Sequence, residues 1–291
     1  MIMQQQNVLK SAGIYPADFK CLTQSFLSEL ANLDFSARAK LICENIINLK
    51  ISDKTVNYFK NSNLAATVLN VDSGIFLLDL TDGEKACYKD YFPCETLAEN
   101  FACAFTAIVG AYVDAADSGA YKFGSTFDLA FSGDEGIFPL AAHYAIKCGL
   151  PIGRVFVGLI DNKESDRAPF YERHVTKEEA DDISFDIFDE LNLTVDPYTA
   201  AAILAEDENS EDDSNPVIIL NFASPYLFAR RIYNNLFDLN ELSPQKAIKK
   251  LYEETATPIP ESILSGRTQP FFKLDSILSY FSAVEIIAPQ N

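Results

Sequence analysis

The sequence predicts an α/β fold: an open, mostly parallel sheet with helices on both faces, preceded by a helical N-terminal segment. Two observations carry this reading. Residues 74–80, 126–131, 154–160 and 217–220 are short apolar runs without polar alternation, the pattern of strands covered on both faces. Between and after them lie amphipathic helix candidates at 97–116, 136–148, 199–205 and 225–237. Strands alternating with helices build a parallel sheet, because each parallel connection must cross the sheet. The composition supplies the core, with 48% apolar residues and 22 Phe in 291 residues, and excludes a disordered chain.

Ahead of the first strand, residues 25–32 and 36–49 carry apolar side chains at three- and four-residue spacing, which predicts two helices, with Ser36 placed to cap the second. Residues 1–65 are expected to form a helical segment packed on the core, and residues 66–291 a single α/β domain. The run 206–215 holds six acidic residues and reads as a solvated loop or insertion.

Forty-two acidic against 23 basic side chains give a net charge of −19. Such a field repels nucleic acid and anionic membranes, and no basic patch offsets it, so neither is an expected partner. The six cysteines (Cys21, Cys43, Cys87, Cys94, Cys103, Cys148) contain no Cys-x-x-Cys pair, and His143 and His174 are the only histidines; no metal site is expected. Several of these cysteines fall on apolar helix faces, as buried free thiols do. The polar residues 1–7 lack a signal-peptide pattern, and no apolar run reaches the roughly 18 residues of a membrane helix. A soluble, cytoplasmic protein is the expectation.

Four stretches, in one chain order, carry the chemistry. The first is Asp82-Gly83-Glu84-Lys85-Ala86-Cys87-Tyr88-Lys89-Asp90 and the second Phe131-Ser132-Gly133-Asp134-Glu135-Gly136, followed by a helix ending Gly149-Leu150-Pro151. The third is Val195-Asp196-Pro197-Tyr198-Thr199-Ala200, and the fourth runs from Val217 through Phe222, Ala223, Ser224 and Pro225 to Phe228. These resemble, respectively, the cofactor-lysine stretch, the Ser-Gly-Asn-Phe-Gly-Asn phosphate loop, the Asp-Pro-His-Thr-Ala turn and the Thr-Ala-His-Pro strand end of the threonine synthase family. That family belongs to the fold-type II enzymes that use pyridoxal phosphate (PLP). Residues 12–36 also resemble the family's N-terminal region. The resemblance implies that Lys89 matches the Schiff-base lysine. It also implies that Ser132, Gly133, Asp134, Glu135 and Gly136 match the phosphate loop, and that Phe222 and Ser224 lie where the family faces the cofactor's pyridine nitrogen.

Each match has lost something. A Schiff-base lysine must be largely neutral to attack an aldehyde, and Glu84 and Asp90 favour the charged ammonium instead. In the family the loop's backbone N–H groups cradle the phosphate. Asp134 and Glu135 put acids into that cradle. Two unit charges about 5 Å apart at an effective dielectric of ~20 repel by roughly 3 kcal/mol. That is about two decades of affinity. Ser132-x-x-Glu135 also has the form of a capping box, which would leave the loop to satisfy its own helix. Phe222 replaces a family threonine with a larger apolar ring. Only residues 91–125 separate the first match from the second, too few for the mobile domain that the family places there. The expectation is a shortened, non-catalytic relative with no cofactor, whose role is to bind a protein partner or a second copy of itself. The alternative reading keeps PLP on Lys89 as a threonine synthase-type lyase.

Overall fold

The computed structural model describes residues 9–10, 12–50, 68–71, 74–80, 97–133, 137–160, 170–210, 215–220, 225–237, 242, 244–259 and 271–274. The chain divides into two compact units. The first comprises Met1–Ser62, Cys94–Thr176 and Ala201–Leu220, and the second Asn63–Pro93, Lys177–Ala200 and Asn221–Asn291.

The N-terminal segment of the first unit forms two helices, α1 (Gln24–Leu30) and α2 (Phe35–Asn45). Asp34 caps α2, its Oδ1 accepting from the Ala37 N–H at 2.8 Å and from the Ser36 hydroxyl at 3.0 Å. The expected cap, Ser36, therefore lies inside the helix; the longer-reaching carboxylate two residues earlier takes the free N–H. Both helices pack on α3 (Leu97–Asp117), of whose 21 residues 13 are buried, so that it is apolar nearly all round. Arg38 ties this layer together. Its guanidinium donates to the Leu30 and Ala31 carbonyls at 2.9 and 3.0 Å and pairs with Asp114 of α3 at 2.6 Å. The free carbonyls at the end of α1 are thus satisfied by a side chain. Both α3 and the next helix end in a left-handed glycine. Gly119 (φ +82°) follows α3, where the Gly119 and Ala120 N–H groups return to the Ala116 and Ala115 carbonyls. This is the Schellman arrangement. The Ser118-Gly119 pair is accordingly a helix stop.

Behind α3 lies a four-stranded parallel sheet in the order β5-β4-β3-β6, with β3 at Phe127–Ser132, β4 at Ile152–Leu159, β5 at Tyr171–His174 and β6 at Val217–Ile219. Every residue of β3 is buried, which explains why it shows no polar alternation. Its one acid, Asp128, is fully buried and fully engaged. It accepts from the Arg154 backbone N–H at 2.8 Å, the Arg154 guanidinium at 2.6 and 2.7 Å, and Asn215 Nδ2 at 3.2 Å. Helix α4 (Ile137–Lys147) links β3 to β4. An aromatic cluster of Phe19, Phe101, Phe105 and Tyr144, with ring centroids 5.4–6.4 Å apart, packs the N-terminal segment against α3 and α4.

The second unit holds a three-stranded sheet, β1 (Val68–Val71), β2 (Gly74–Leu80) and β7 (Phe271–Leu274), with β1–β2 antiparallel and β2–β7 parallel. The strand at 74–80 therefore belongs to its own small mixed sheet and not to the four-stranded one. This unit also contains α5 (Lys177–Leu191), a 3-10 turn (Pro225–Phe228), α7 (Ala229–Phe237) and α8 (Pro244–Glu254). Arg231 of α7 pairs with Asp181 of α5 at 2.9 Å, and Phe188 meets Phe237 edge-on at 5.5 Å. Buried Thr257 accepts from the Thr194 N–H at 2.7 Å, and its own carbonyl accepts from the Tyr226 hydroxyl at 2.7 Å.

Helix α6 (Pro197–Asn209) begins at the Asp196-Pro197-Tyr198-Thr199-Ala200 motif. Asp196 is fully buried and caps it, accepting from the Tyr198 and Thr199 N–H groups at 3.0 and 3.2 Å and from the Thr199 hydroxyl. Pro197 takes the first helical position, where its missing N–H costs nothing. Glu206, Asp207, Glu208 and Asn209, expected in a loop, form the last turn of α6. Asp196→Ala should lower stability by about 2 kcal/mol, the upper end for a cap, because three buried hydrogen bonds to it are lost. Urea unfolding followed by circular dichroism measures this, and Asp196→Asn should recover most of the loss.

Candidate functional site

In an open parallel sheet, ligands gather beyond the carboxyl ends of the strands where the strand order reverses. Here that point is β3. The chain leaves β3 through α4 to reach β4 on one side, and later reaches β6 on the other side. Asp128, Leu129 and Ala130 pair with Val217, Ile218 and Ile219, and the Leu220 N–H donates to the Ala130 carbonyl at 2.9 Å. The parallel register thus brings the carboxyl ends of β3 and β6 to one edge of the sheet. These are the ends from which the second and fourth family-like stretches continue.

Ser132 and Gly133 stand at that edge. Ser132 is the last residue of β3, fully buried and paired with Gly158. The Gly133 N–H donates to the Gly158 carbonyl at 2.8 Å, extending the ladder one residue past the strand. Helix α4 is described from Ile137 onwards. Ser132 thus lies in the strand, and the Glu135 half of the capping-box pattern lies outside the described residues. Burial on both faces of β3 holds Ser132 in the strand. Asp134, Glu135, Gly136, Lys89, Phe222 and Ser224 lie outside the described residues, so of the expected site residues the structure places Ser132 and Gly133, side by side.

The floor beneath this edge is unusually close-packed. Helix α6 presents its alanines to the sheet, with Ala202 and Ala205 packed on Ala130 and Phe156, and Val217 beside them. At Gly158 the helix backbone itself meets the strand: a Cβ there would lie 2.6 Å from the Ala202 nitrogen and closer still to the Ala201 carbonyl. Gly158 and its run of facing alanines escape a motif search, although the Ala200-Ala201-Ala202 run opposite an apolar strand is the signal that marks them.

At its other end α4 closes on the stretch Gly149-Leu150-Pro151. Gly149 is left-handed (φ +94°), and the Gly149 and Leu150 N–H groups bond the Ile146 and Ala145 carbonyls at 2.9 and 3.0 Å. The family-like ending is a Schellman stop with a buried leucine behind it. His143, on the same helix, is lowered from its ordinary range by burial and then by Lys147, and is neutral at pH 7.

Compared with known proteins, the chain resembles threonine synthases in structure. Against the enzyme from Escherichia coli the likeness spans 95% of this chain and 93% of that one, with a TM-score of 0.51 at 13% identity. The fold is that of threonine synthase. The yeast enzyme matches 74% of this chain and 60% of its own length (14% identity, TM-score 0.41). The PLP-bound enzyme from Brucella melitensis matches 74% and 59% (13% identity, TM-score 0.43). No protein-family model and no curated protein matches the sequence. At such identities the likeness is one of fold, and activity has to be argued from the site.

Of the residues that match the family's phosphate loop, the structure places Ser132 and Gly133. The Gly133 N–H is directed to Gly158 and not outwards. The next two residues in sequence, Asp134 and Glu135, are acids.

Proposed function

We propose that this chain is a threonine synthase-like protein without catalysis, which works in the cytoplasm by binding another protein or a second copy of itself. The observation that carries this reading is the Gly133 N–H, taken up by the Gly158 carbonyl where the family resemblance calls for a free anion-binding donor. The sequence supports it on three further counts: Asp134 and Glu135 in the loop, Phe222 in place of a hydrogen-bonding threonine, and acids flanking Lys89. Among the described residues between β2 and β3 stands a single helix, α3, where the family resemblance calls for a mobile domain to close over a substrate. The strongly acidic charge favours a partner with a basic or neutral face. No described helix is long and apolar enough to cross a membrane.

The test is absorbance of the purified protein titrated with PLP, followed by borohydride, with Lys89→Ala as control. The reading expects no new band and no cofactor attached after reduction, together with a self-associated species or a captured partner in sedimentation velocity. Covalent PLP on wild type but not on Lys89→Ala would overturn it in favour of a PLP-dependent lyase.

A further inference from the structure

Two cysteines on different elements meet where the N-terminal segment crosses the end of α4. Cys148 is the C-cap residue of α4, only 3% exposed, while Cys21 is exposed; both are free thiols. Between them runs one backbone hydrogen bond, from the Leu22 N–H to the Cys148 carbonyl at 2.7 Å. Because Cys21 is bonded directly to the Leu22 nitrogen, each α-carbon lies about 2.4 Å from its end of that bond, which keeps the two within roughly 7.5 Å of each other. Disulfides span about 4.4–6.8 Å between α-carbons. The Cys148 thiol is pushed up to about 11, first by burial and then by the neighbouring Cys21, so the two sulfurs sense each other. The other described cysteines differ: Cys43 is fully buried in α2, its thiol pushed up to about 12, and Cys103 is buried in α3.

We propose that Cys21 and Cys148 form a reversible intrachain disulfide that clamps the N-terminal segment onto the end of α4. The oxidant is a small-molecule disulfide such as oxidised glutathione. The Cys21 thiolate, reachable from solvent, attacks one glutathione sulfur, forming a mixed disulfide and releasing one glutathione thiolate. Cys148, shielded from the bulky reagent, loses its proton and attacks Cys21 Sγ, forming the Cys21–Cys148 bond and expelling the second glutathione. In sum, two protein thiols and one glutathione disulfide give one protein disulfide and two glutathione thiols. The loop closed this way runs through α1, α2, β1, β2, α3, β3 and α4, and the gain in stability grows with loop length. It pins Phe19, whose ring lies between Phe101 at 5.9 Å and Tyr144 at 5.4 Å, in the α3–α4 cleft.

The full chain is equilibrated with graded ratios of oxidised to reduced glutathione, alkylated and digested with trypsin. Cleavage after Lys20, Arg38, Lys147 and Arg154 isolates Cys21 and Cys148 on separate peptides, each with a single cysteine. The expected product is the two peptides joined, from a monomer on a non-reducing gel. The urea midpoint should rise on oxidation in wild type and stay unchanged in Cys21→Ser, which alters an exposed side chain. Glutathione retained on Cys21 with Cys148 alkylated only after unfolding would overturn the proposal, as would a bond between two copies or to another cysteine. None of these outcomes depends on whether the protein binds PLP.

Discussion

Gly158→Ala is expected to destabilise the protein by about 3 kcal/mol or more, the upper end for an overpacked core. The argument is geometric. The new methyl would sit 2.6 Å from the Ala202 nitrogen and nearer still to the Ala201 carbonyl, both backbone atoms of α6. Backbone has no rotamer to change, so the helix itself has to move by about an ångström to restore contact distance. Moving α6 opens the cluster of Ala130, Phe156, Ala202 and Ala205. It also disturbs the strand partner of Ser132 and Gly133. Gly110→Ala is the control. It makes the same chemical change in the interior of α3, where the nearest foreign atom to the new methyl is Arg38 Nη1 at 3.4 Å. Alanine is the better helix former by about 1 kcal/mol, so this variant should be neutral or slightly stabilised. The urea midpoint should therefore fall markedly in Gly158→Ala and stay level or rise slightly in Gly110→Ala. Equal small shifts in both would mean that α6 does not press on β4 as described.

Much of this architecture is legible in the sequence, for physical reasons that can be named residue by residue. The buried strands β3 and β4 announce themselves because a strand covered on both faces cannot alternate. The Asp196-Pro197-x-Thr199 turn and the Gly149-Leu150-Pro151 stop are visible because capping chemistry is local and needs those side chains. Strand β5 (Tyr-Glu-Arg-His) stays hidden, since an edge strand with one wet face carries little apolar signal. Helix α5 is obscured by its acids, although Ala180, Ile183, Ile187 and Phe188 recur at helical spacing. Sequence alone also gives no sign that the strand at 74–80 joins a separate sheet, because partner choice is a non-local matter. At the candidate site the legible part is the placement of Ser132 and Gly133 at the switch point. What they do there depends on a hydrogen bond to Gly158 that no motif encodes.

Asp128→Ala is the other large effect, expected to cost about 3–5 kcal/mol, the penalty for breaking a buried charge pair by removing one partner. The carboxylate is fully buried and holds four donors at once: the Arg154 backbone N–H, two guanidinium nitrogens and Asn215. Deleting it takes a buried counter-charge away from the Arg154 side chain, which is only 22% exposed. A single change would thus consume a large share of the ~5–15 kcal/mol that holds a typical domain folded. The pair as a unit is worth much less than either half suggests, since both charges pay for desolvation. Asp128→Leu combined with Arg154→Leu should therefore recover part of the loss, but not all of it. The Arg154 backbone N–H would still lack an acceptor, a residual cost of about 1–3 kcal/mol. Chemical denaturation of the two single variants and the double variant measures the coupling directly. Full recovery in the double variant would show that the backbone donor finds another partner; no recovery would show that Asp128 works through Asn215 and the Arg154 backbone, and not through the charge. Asp128 lies near the amino end of β3, four residues or roughly 13 Å from Ser132 along the strand. Any variant that stays folded should therefore keep the Cys21–Cys148 exchange and the PLP response of the wild type, separating what holds the sheet together from what its carboxyl edge does.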